Sequence, residues 1–168
     1  MIQKNTASNI TIWTDGSALK NPGYGGWACI IVTNDIEYEI SSPSQDIVTN
    51  NQMELTAIIN AIEFLFEENI VSTQSIPSNV IIYSDSNYAV RGINEWIERW
   101  ILSQQKTGNT RPNWDLWSRL YVLKNKLNSL CPIDFKWVKA HSNNHMNNRV
   151  DKLARDCAIT AKLSVIRS

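Results

Sequence analysis

The feature that most restricts how this chain can fold is a short apolar segment in its middle, Val80 to Tyr83, which is followed by Ser84 and Asp85. A strand that is apolar without alternation is typical of a strand covered on both faces. A helical period precedes it, with apolar residues at three- and four-residue spacing between Asn50 and Asn69. The segment therefore predicts a central strand in a sheet with helices on both faces.

Three more strands are predicted before that first helix. Ile10 to Asp15 and Ile36 to Ile40 alternate between apolar and polar residues, and Gly26 to Thr33 is rich in aromatic and β-branched residues. Short links separate these segments, and short links join antiparallel neighbours. The front of the chain therefore predicts an antiparallel meander.

The second half predicts three helical regions and one strand. Helical spacing runs from about Tyr88 to Ser103, from Asn113 to Leu130 and from His145 to Leu163, and Ile133 to Lys139 predicts a fifth strand. Helical crossovers before and after the fourth strand favour parallel neighbours. The fold class predicted is α/β, a five-stranded mixed sheet of three antiparallel strands and then two parallel ones, with helices on both faces.

Composition narrows the class of protein further. With 43% hydrophobic residues, 6 Gly and 5 Pro in 168 residues, the chain is predicted to fold as one domain. Its longest apolar stretch, Trp27 to Val32, is far shorter than the roughly 20 residues of a membrane-spanning helix, and no export signal is expected. Three cysteines without a C-x-x-C pair argue against disulfides and structural zinc. We expect a cytoplasmic, monomeric protein that does not bind membranes.

Charge is distributed unevenly although the formal net charge is zero. Residues 1–69 hold two basic and nine acidic side chains, whereas residues 70–168 hold fourteen basic and seven acidic ones. An ordinary solvated surface is one interpretation. The other is an acidic centre that binds cations beside a basic rim that binds polyanions.

Four acidic residues stand at positions that can converge. Asp15 and Asp85 end the first and fourth predicted strands, at the sheet edge where ligands of open α/β sheets usually bind. Glu54 lies in the first turns of the following helix and Asp151 early in the last helix. Each of them alone could equally cap a helix or a turn.

Five segments occur in a recognisable order along the chain: Thr14-Asp15-Gly16-Ser17, Asn21-Pro22-Gly23-Tyr24-Gly25-Gly26, Thr49-Asn50-Asn51-Gln52-Met53-Glu54-Leu55, Ser84-Asp85-Ser86-Asn87-Tyr88 and Trp137-Val138-Lys139-Ala140-His141. Asp151 follows His141 by ten residues. From about Ile10 to Ala161 this series resembles the type 1 ribonuclease H family. The resemblance implies a single ribonuclease H domain over 1–168, with its core at about 9–163.

The resemblance also implies an activity and its metal ions. The family cuts the RNA strand of RNA–DNA hybrids with two Mg²⁺ ions and leaves 5′-phosphate and 3′-hydroxyl ends; Mn²⁺ is expected to substitute. By the family pattern Asp15 bridges both ions, Glu54 and Asp85 serve one, and Asp151 serves the other. His141 matches the histidine that assists proton movement or product release. Hard cations prefer carboxylate oxygens, and four converging carboxylates without cations would repel one another.

Substrate contacts are implied by the same resemblance. Small polar groups suit recognition of the 2′-hydroxyl that distinguishes RNA from DNA. Thr49 and Asn113 match a phosphate-holding pair on the DNA strand, and Trp96 matches a tryptophan that lies against that strand. The residues expected around the scissile bond are Gly16, Ser17, Asn21, Asn50, Asn51 and Asn87, the last in place of a commoner Gln.

The chain departs from the family pattern at three places. Residues 96–114 contain only Arg99, Lys106 and Arg111 as basic groups, which predicts weak binding of the hybrid. Ala140 stands where Gly is usual and Asn148 where Glu is common, which bears on rate and loop mobility.

Two alternatives are a non-catalytic nucleic-acid-binding module on this fold and an actin-like kinase. No carboxylate is missing, which disfavours the first, and the chain is too short for the second.

Overall fold

The computed structural model describes residues 8–34 and 36–167. Its strands form one sheet in which β1 pairs antiparallel with β2 and β2 with β3, whereas β1 with β4 and β4 with β5 are parallel. The order across the sheet is β3-β2-β1-β4-β5. The predicted mixed sheet is therefore confirmed. The strands are β1 (Asn9–Ala18), β2 (Gly23–Val32), β3 (Glu37–Val48), β4 (Asn79–Ser84) and β5 (Ile133–Trp137).

Helices cover both faces of this sheet. They are α1 (Asn50–Glu67), α2 (Asn87–Arg91), a π-helical segment (Gly92–Trp96), α3 (Ile97–Thr107), α4 (Trp114–Asn128) and α5 (His145–Ile166). Alternate residues of β2 point to opposite faces: Cys29 and Ile31 join the core beneath α1, and Ala28 and Ile30 pack against α5. Helices on both faces are therefore confirmed.

Two elements differ substantially from those predicted. The third strand continues beyond Ile40 to Val48, through Pro43. This is possible because β3 is an edge strand, where a residue without an N–H can be tolerated. The helix expected from Tyr88 to Ser103 is interrupted by the π-helical segment, in which Gly92 lets the Trp117 ring approach; a Cβ there would lie 2.1 Å from that ring.

The predicted burial of β4 is only half right. Its place inside the sheet is confirmed, and Val80, Ile82 and Ser84 are buried. Ile81 and Tyr83 on its other side are half-buried, because α5 packs over β1, β2 and β3. Tyr83 stacks on Trp13 with 5.5 Å between ring centroids. An apolar run therefore marked a strand that is inside the sheet but covered fully on one face only.

Two further expectations concern cysteines and membranes. Cys29, Cys131 and Cys157 are free thiols, as expected from their spacing. Burial raises the pKa of Cys29 to about 12, which keeps this thiol protonated and unreactive. Within the described residues, no helix is long and apolar enough to cross a membrane.

Candidate active site

Asp15 and Asp85 are brought together by the parallel pairing of β1 and β4. Thr14 lies opposite Ser84 in the register of the two strands, so that the next residues of both strands, Asp15 and Asp85, are neighbours. Asp15 is buried, with 3% of its surface exposed, and Asp85 is half-buried. The prediction that these strand ends converge is confirmed.

Glu54 reaches the same place from α1, because Gly16 lets the helix touch the strand. A Cβ on Gly16 would lie 2.2 Å from the Met53 carbonyl carbon and 2.3 Å from the Glu54 nitrogen. The start of α1 is fixed by a capping box: the Thr49 hydroxyl accepts from the Gln52 N–H at 3.1 Å, and the Gln52 side chain accepts from the Thr49 N–H at 2.9 Å. Glu54, in the second turn, is thereby held beside Asp15.

These three carboxylates form a compact cluster. One carboxylate oxygen from each of Asp15, Glu54 and Asp85 lies within 4.8 Å of the others. Asp151 is not one of these three, but it approaches from α5 closely enough to interact with the Asp15 carboxyl group. Its Oδ2 also accepts a hydrogen bond from Arg155 Nη2 at 2.8 Å. Asp15 thus interacts with each of the other three carboxylates.

The electrostatics of the cluster favour a bound cation. Burial, and next the charge of Asp85, raises the pKa of Asp15 well above its usual value. Burial, and next the charge of Asp15, raises the pKa of Glu54 in the same way. Glu54 Oε2 is buried without a hydrogen-bond partner among the described residues. The cluster therefore offers carboxylate oxygens that have no counter-ion, one of them without a hydrogen-bond partner. Oxygen ligands of this kind are the ones that Mg²⁺ and Mn²⁺ bind.

Two residues that sequence reasoning missed hold Asp85. Asn147 donates from Nδ2 to Asp85 Oδ2 at 3.3 Å, and Trp137 donates from Nε1 to the Asp85 carbonyl oxygen at 3.0 Å. Asn147 lies four residues before Asp151, on the same side of α5. That spacing was visible in the sequence and could have drawn attention to Asn147.

The predicted histidine is placed in the loop between β5 and α5. His141 is exposed and has a positive φ of 50°. The loop is closed by two hydrogen bonds, from Ser142 Oγ to the Lys139 carbonyl at 2.8 Å and from Asn148 Nδ2 to the Ser142 carbonyl at 2.8 Å. Within the described residues, no hydrogen bond from His141 reaches the carboxylates, and its role stays a prediction.

The amides expected to meet the substrate lie mainly at helix starts. Asn50 Oδ1 accepts from the Ala18 N–H at 2.7 Å, and the Asn50 N–H donates to Asn21 Oδ1 at 3.1 Å. Both contacts join the β1–β2 turn, which follows Gly16 and Ser17, to the start of α1. Asn51 and Asn87 are exposed in the first turns of α1 and α2.

The predicted Trp96 lies apart from the carboxylates, among residues of the helices that follow β4 and of the loop between α3 and α4. Arg91, Trp96, Trp100 and Arg111 form what we call the Trp–Arg cluster: each guanidinium lies over a ring, at 4.7 Å for Trp96 and 5.7 Å for Trp100. The two rings lie 5.7 Å apart. They line an open cavity of about 550 Å³.

Two more residues of this region have different surroundings. Trp117 is fully buried and donates to the Tyr88 hydroxyl at 2.9 Å. Asn113 donates from Nδ2 to the same hydroxyl at 3.2 Å. No hydrogen bond or ring contact between described residues joins Trp96 or Asn113 to the carboxylates.

Comparison with known proteins assigns the family. The model of the family described as RNase H matches residues 7–159. A ribonuclease H of Wolbachia sp. subsp. Drosophila simulans (strain wRi) is 40% identical over 154 residues, which cover 90% of this chain and 97% of the relative. The chain belongs to the ribonuclease H family. It is therefore an enzyme of the nuclease class.

Solved structures of ribonucleases H share the fold. The crystal structure of LC9-RNase H1, described as a type 1 RNase H with the type 2 active-site motif, superposes with a TM-score of 0.74 at 19% identity, covering 92% of this chain and 74% of that one. LC11-RNase H1 in complex with an RNA/DNA hybrid gives 0.65 at 23% identity, covering 91% of this chain and 99% of that one.

Proposed function

We propose that this ribonuclease H is an endonuclease that hydrolyses the RNA strand of RNA–DNA hybrids with two Mg²⁺ ions, giving 5′-phosphate and 3′-hydroxyl ends. The observation that carries the proposal is the buried cluster of Asp15, Glu54 and Asp85, whose carboxylate oxygens lie within 4.8 Å of one another. Carboxylates this close repel one another, and bound divalent cations would neutralise that repulsion.

The four carboxylates divide the work of holding the ions. Bound divalent ions would supply stabilisation of the attacking and leaving oxygens of the phosphodiester. By the family pattern Asp15 would be shared by both ions, and its interaction with each of the other three carboxyl groups supports this. Glu54 and Asp85 would serve one ion and Asp151 the other, and Mn²⁺ would substitute since it also takes oxygen ligands.

Hybrid binding is supported by the related LC11-RNase H1, whose structure is a complex with an RNA/DNA hybrid. Hydrogen bonds from Asn50 N–H to Asn21 Oδ1 and from the Ala18 N–H, next to Ser17, to Asn50 Oδ1 support a group of small polar side chains that could meet a 2′-hydroxyl. Gly16 also has a packing role, since α1 rests against it. The residues proposed to contact the RNA side of the substrate are Gly16, Ser17, Asn21, Asn50, Asn51 and Asn87.

The DNA strand is proposed to lie across Trp96 and to meet Thr49 and Asn113. Trp96 and Trp100 offer ring faces, and Arg99 and Arg111 offer charge beside the same cavity. The Thr49 hydroxyl accepts a hydrogen bond in the helix cap, so its contact with phosphate would use its remaining O–H as the donor. His141, exposed in the loop that precedes α5, is proposed to assist proton movement or product release.

The extent and setting of the domain are proposals as well. We propose one ribonuclease H domain over 1–168, active as a monomer in the cytoplasm. The family match over residues 7–159 and three free thiols support this view. Light scattering of the purified protein is expected to give a mass near 19.1 kDa, and a stable dimer would contradict it.

Cleavage of a labelled RNA–DNA hybrid tests the function. Duplex RNA and duplex DNA are assayed alongside, in Mg²⁺, in Mn²⁺ and in EDTA. Cleavage is expected only in the RNA of the hybrid and only with metal. Folded protein that binds the hybrid but cuts nothing in either metal would contradict the enzyme and favour the binding module.

Asp15→Asn is the decisive variant in the same assay. It keeps the shape of the side chain and removes the charge that both ions would share, so cleavage is expected to fall to background while hybrid binding remains. Asp134→Asn, at an exposed position of β5, is the matched control and is expected to cut like the wild type. Equal loss in both variants would contradict the assigned site.

A further inference from the structure

Asn147 is a buried polar residue whose two side-chain polar atoms, Nδ2 and Oδ1, differ in their hydrogen bonding. It lies in the first turn of α5 with 1% of its surface exposed. Its Nδ2 donates to Asp85 Oδ2 at 3.3 Å. Its Oδ1 is buried and has no hydrogen-bond partner among the described residues. Buried polar atoms normally have partners, so an unpartnered oxygen beside a carboxylate cluster calls for an explanation.

The backbone around Asn147 is fixed independently of its side chain. Asn144 caps α5, and its Oδ1 accepts from the Asn147 N–H at 2.9 Å. The position of Asp85 is fixed on the main-chain side by Trp137, which donates to its carbonyl oxygen at 3.0 Å. The Asn147 side chain is therefore not needed for the helix cap, and its amide is free to orient the Asp85 carboxylate.

The chemistry of an amide suits this place better than that of other polar groups. Nδ2 can only donate, so it pairs with a carboxylate oxygen of Asp85 and can fix the orientation of that group. Oδ1 can only accept, and it adds no charge to a site that already holds four carboxylates. Because Asn147 and Asp151 are four residues apart on α5, one helix turn carries both a metal ligand and a partner of another ligand.

We propose that Asn147 is a positioning residue for the metal ligand Asp85. Its Nδ2 orients the carboxylate, and its Oδ1 accepts a hydrogen bond from a water ligand of the bound ion. The inference rests on the proposed function. Mg²⁺ keeps several of its waters in protein sites, and such waters are donors. Partners of this kind typically change metal affinity about 10–100-fold when they are removed.

Mn²⁺ binding to the substrate-free protein tests the inference, measured by titration calorimetry beside a thermal melt in EDTA. Asn147→Leu keeps the volume of the side chain and removes both polar ends. We expect Mn²⁺ affinity to fall about 10–100-fold. The melting temperature in EDTA is expected to stay level or rise, because an unpartnered buried oxygen is lost. A purely structural role would lower the melting temperature and leave affinity unchanged.

Controls separate the possible failures. Asn125→Leu, the same substitution at an exposed position of α4, is expected to bind Mn²⁺ like the wild type. If Asn147→Leu does not fold, Asn147→Ala is measured in the same two ways, and loss of folding in both would overturn the proposal. Wild-type affinity in a folded Asn147 variant would overturn it too. A wild-type protein that binds no Mn²⁺ would instead contradict the proposed function.

Discussion

The acidic site and the Trp–Arg cluster are built in opposite ways. Asp15 and Glu54 are buried, and their positions depend on contacts between β1, β4, α1 and α5. Trp96 and Trp100 are half-buried, and their arginines are exposed. Ring contacts within one helical region and two guanidinium groups define that surface.

This difference follows from what each region would do. Two ions that lie about 3.5–4 Å apart require ligands at fixed positions. The carboxylates must therefore be held by backbone contacts. Phosphate binding draws on summed charge and ring stacking, which tolerate movement. Damage to the acidic site should therefore reduce turnover, and damage to the Trp–Arg cluster should reduce affinity.

Among substitutions that keep all four carboxylates, the largest expected effect is that of Gly16→Ala. The new Cβ would overlap the Met53 and Glu54 backbone, so α1 must shift. Overpacking of this kind costs typically about 1–3 kcal/mol of stability. A displacement of Glu54 by about 1 Å is expected to lower kcat roughly 10²-fold. Cleavage kinetics and a thermal melt measure both effects.

Gly108→Ala is the matched glycine substitution in the other region. Gly108 has a φ of 73° and nothing within 4 Å of a new Cβ, so only backbone strain is added. Activity within a few-fold of the wild type is expected. If Gly108→Ala reduced kcat as much as Gly16→Ala, the contrast between the two regions would be lost.

The next effect in size concerns affinity. Trp96→Ala removes a ring face, and we expect KM for the hybrid to rise about 10-fold with kcat little changed, since stacking of one base contributes about 1–3 kcal/mol. Arg111→Ala is expected to lower the slope of log affinity against log salt by about 1. Lys162→Ala, an exposed basic residue of α5, serves as the charge control. A fall in kcat alone would contradict a role in binding.

A smaller effect is expected on the stability of the metal-free protein. The pKa values of Asp15 and Glu54 are raised in the folded state, so this state holds protons that the unfolded chain releases. Stability in EDTA should therefore decrease as pH rises from the ordinary carboxyl pKa of about 4 through the raised values. Asp15→Asn should weaken this dependence and raise the melting temperature by about 2–4 °C at neutral pH. A melting temperature independent of pH would contradict the raised pKa values.

The smallest effect is expected for the ion pairs that join α5 to β3. Arg149 contacts Glu37 at 2.7 Å and Glu39 at 2.6 Å, and its hydrogen bonds to Glu37 lower the pKa of that carboxyl group. Exposed pairs contribute little, so Arg149→Ala should lower the melting temperature by at most about 2–4 °C, and less at high salt. Loss of folding in Arg149→Ala would contradict a small contribution of these ion pairs to stability.

Parts of the fold and site were open to prediction because they depend on local patterns. Strand alternation and helical spacing are set by neighbouring residues, which is why the order of elements and the mixed sheet are confirmed. The boundary errors came from tertiary context: Pro43 continues β3 because the strand is at an edge, and Tyr83 is half-exposed because α5 covers other strands. The roles of His141 and of the substrate amides stay predictions.

By itself the sequence determined which carboxylates could converge, since the ends of adjacent parallel strands must meet. Only the tertiary structure decided how they are held. Gly16 against Met53 and Asn147 against Asp85 join residues 37 and 62 positions apart. Such contacts depend on how α1 and α5 pack against the sheet. That packing is a property of the whole core, and the hydrophobic periodicity of one segment does not predict it.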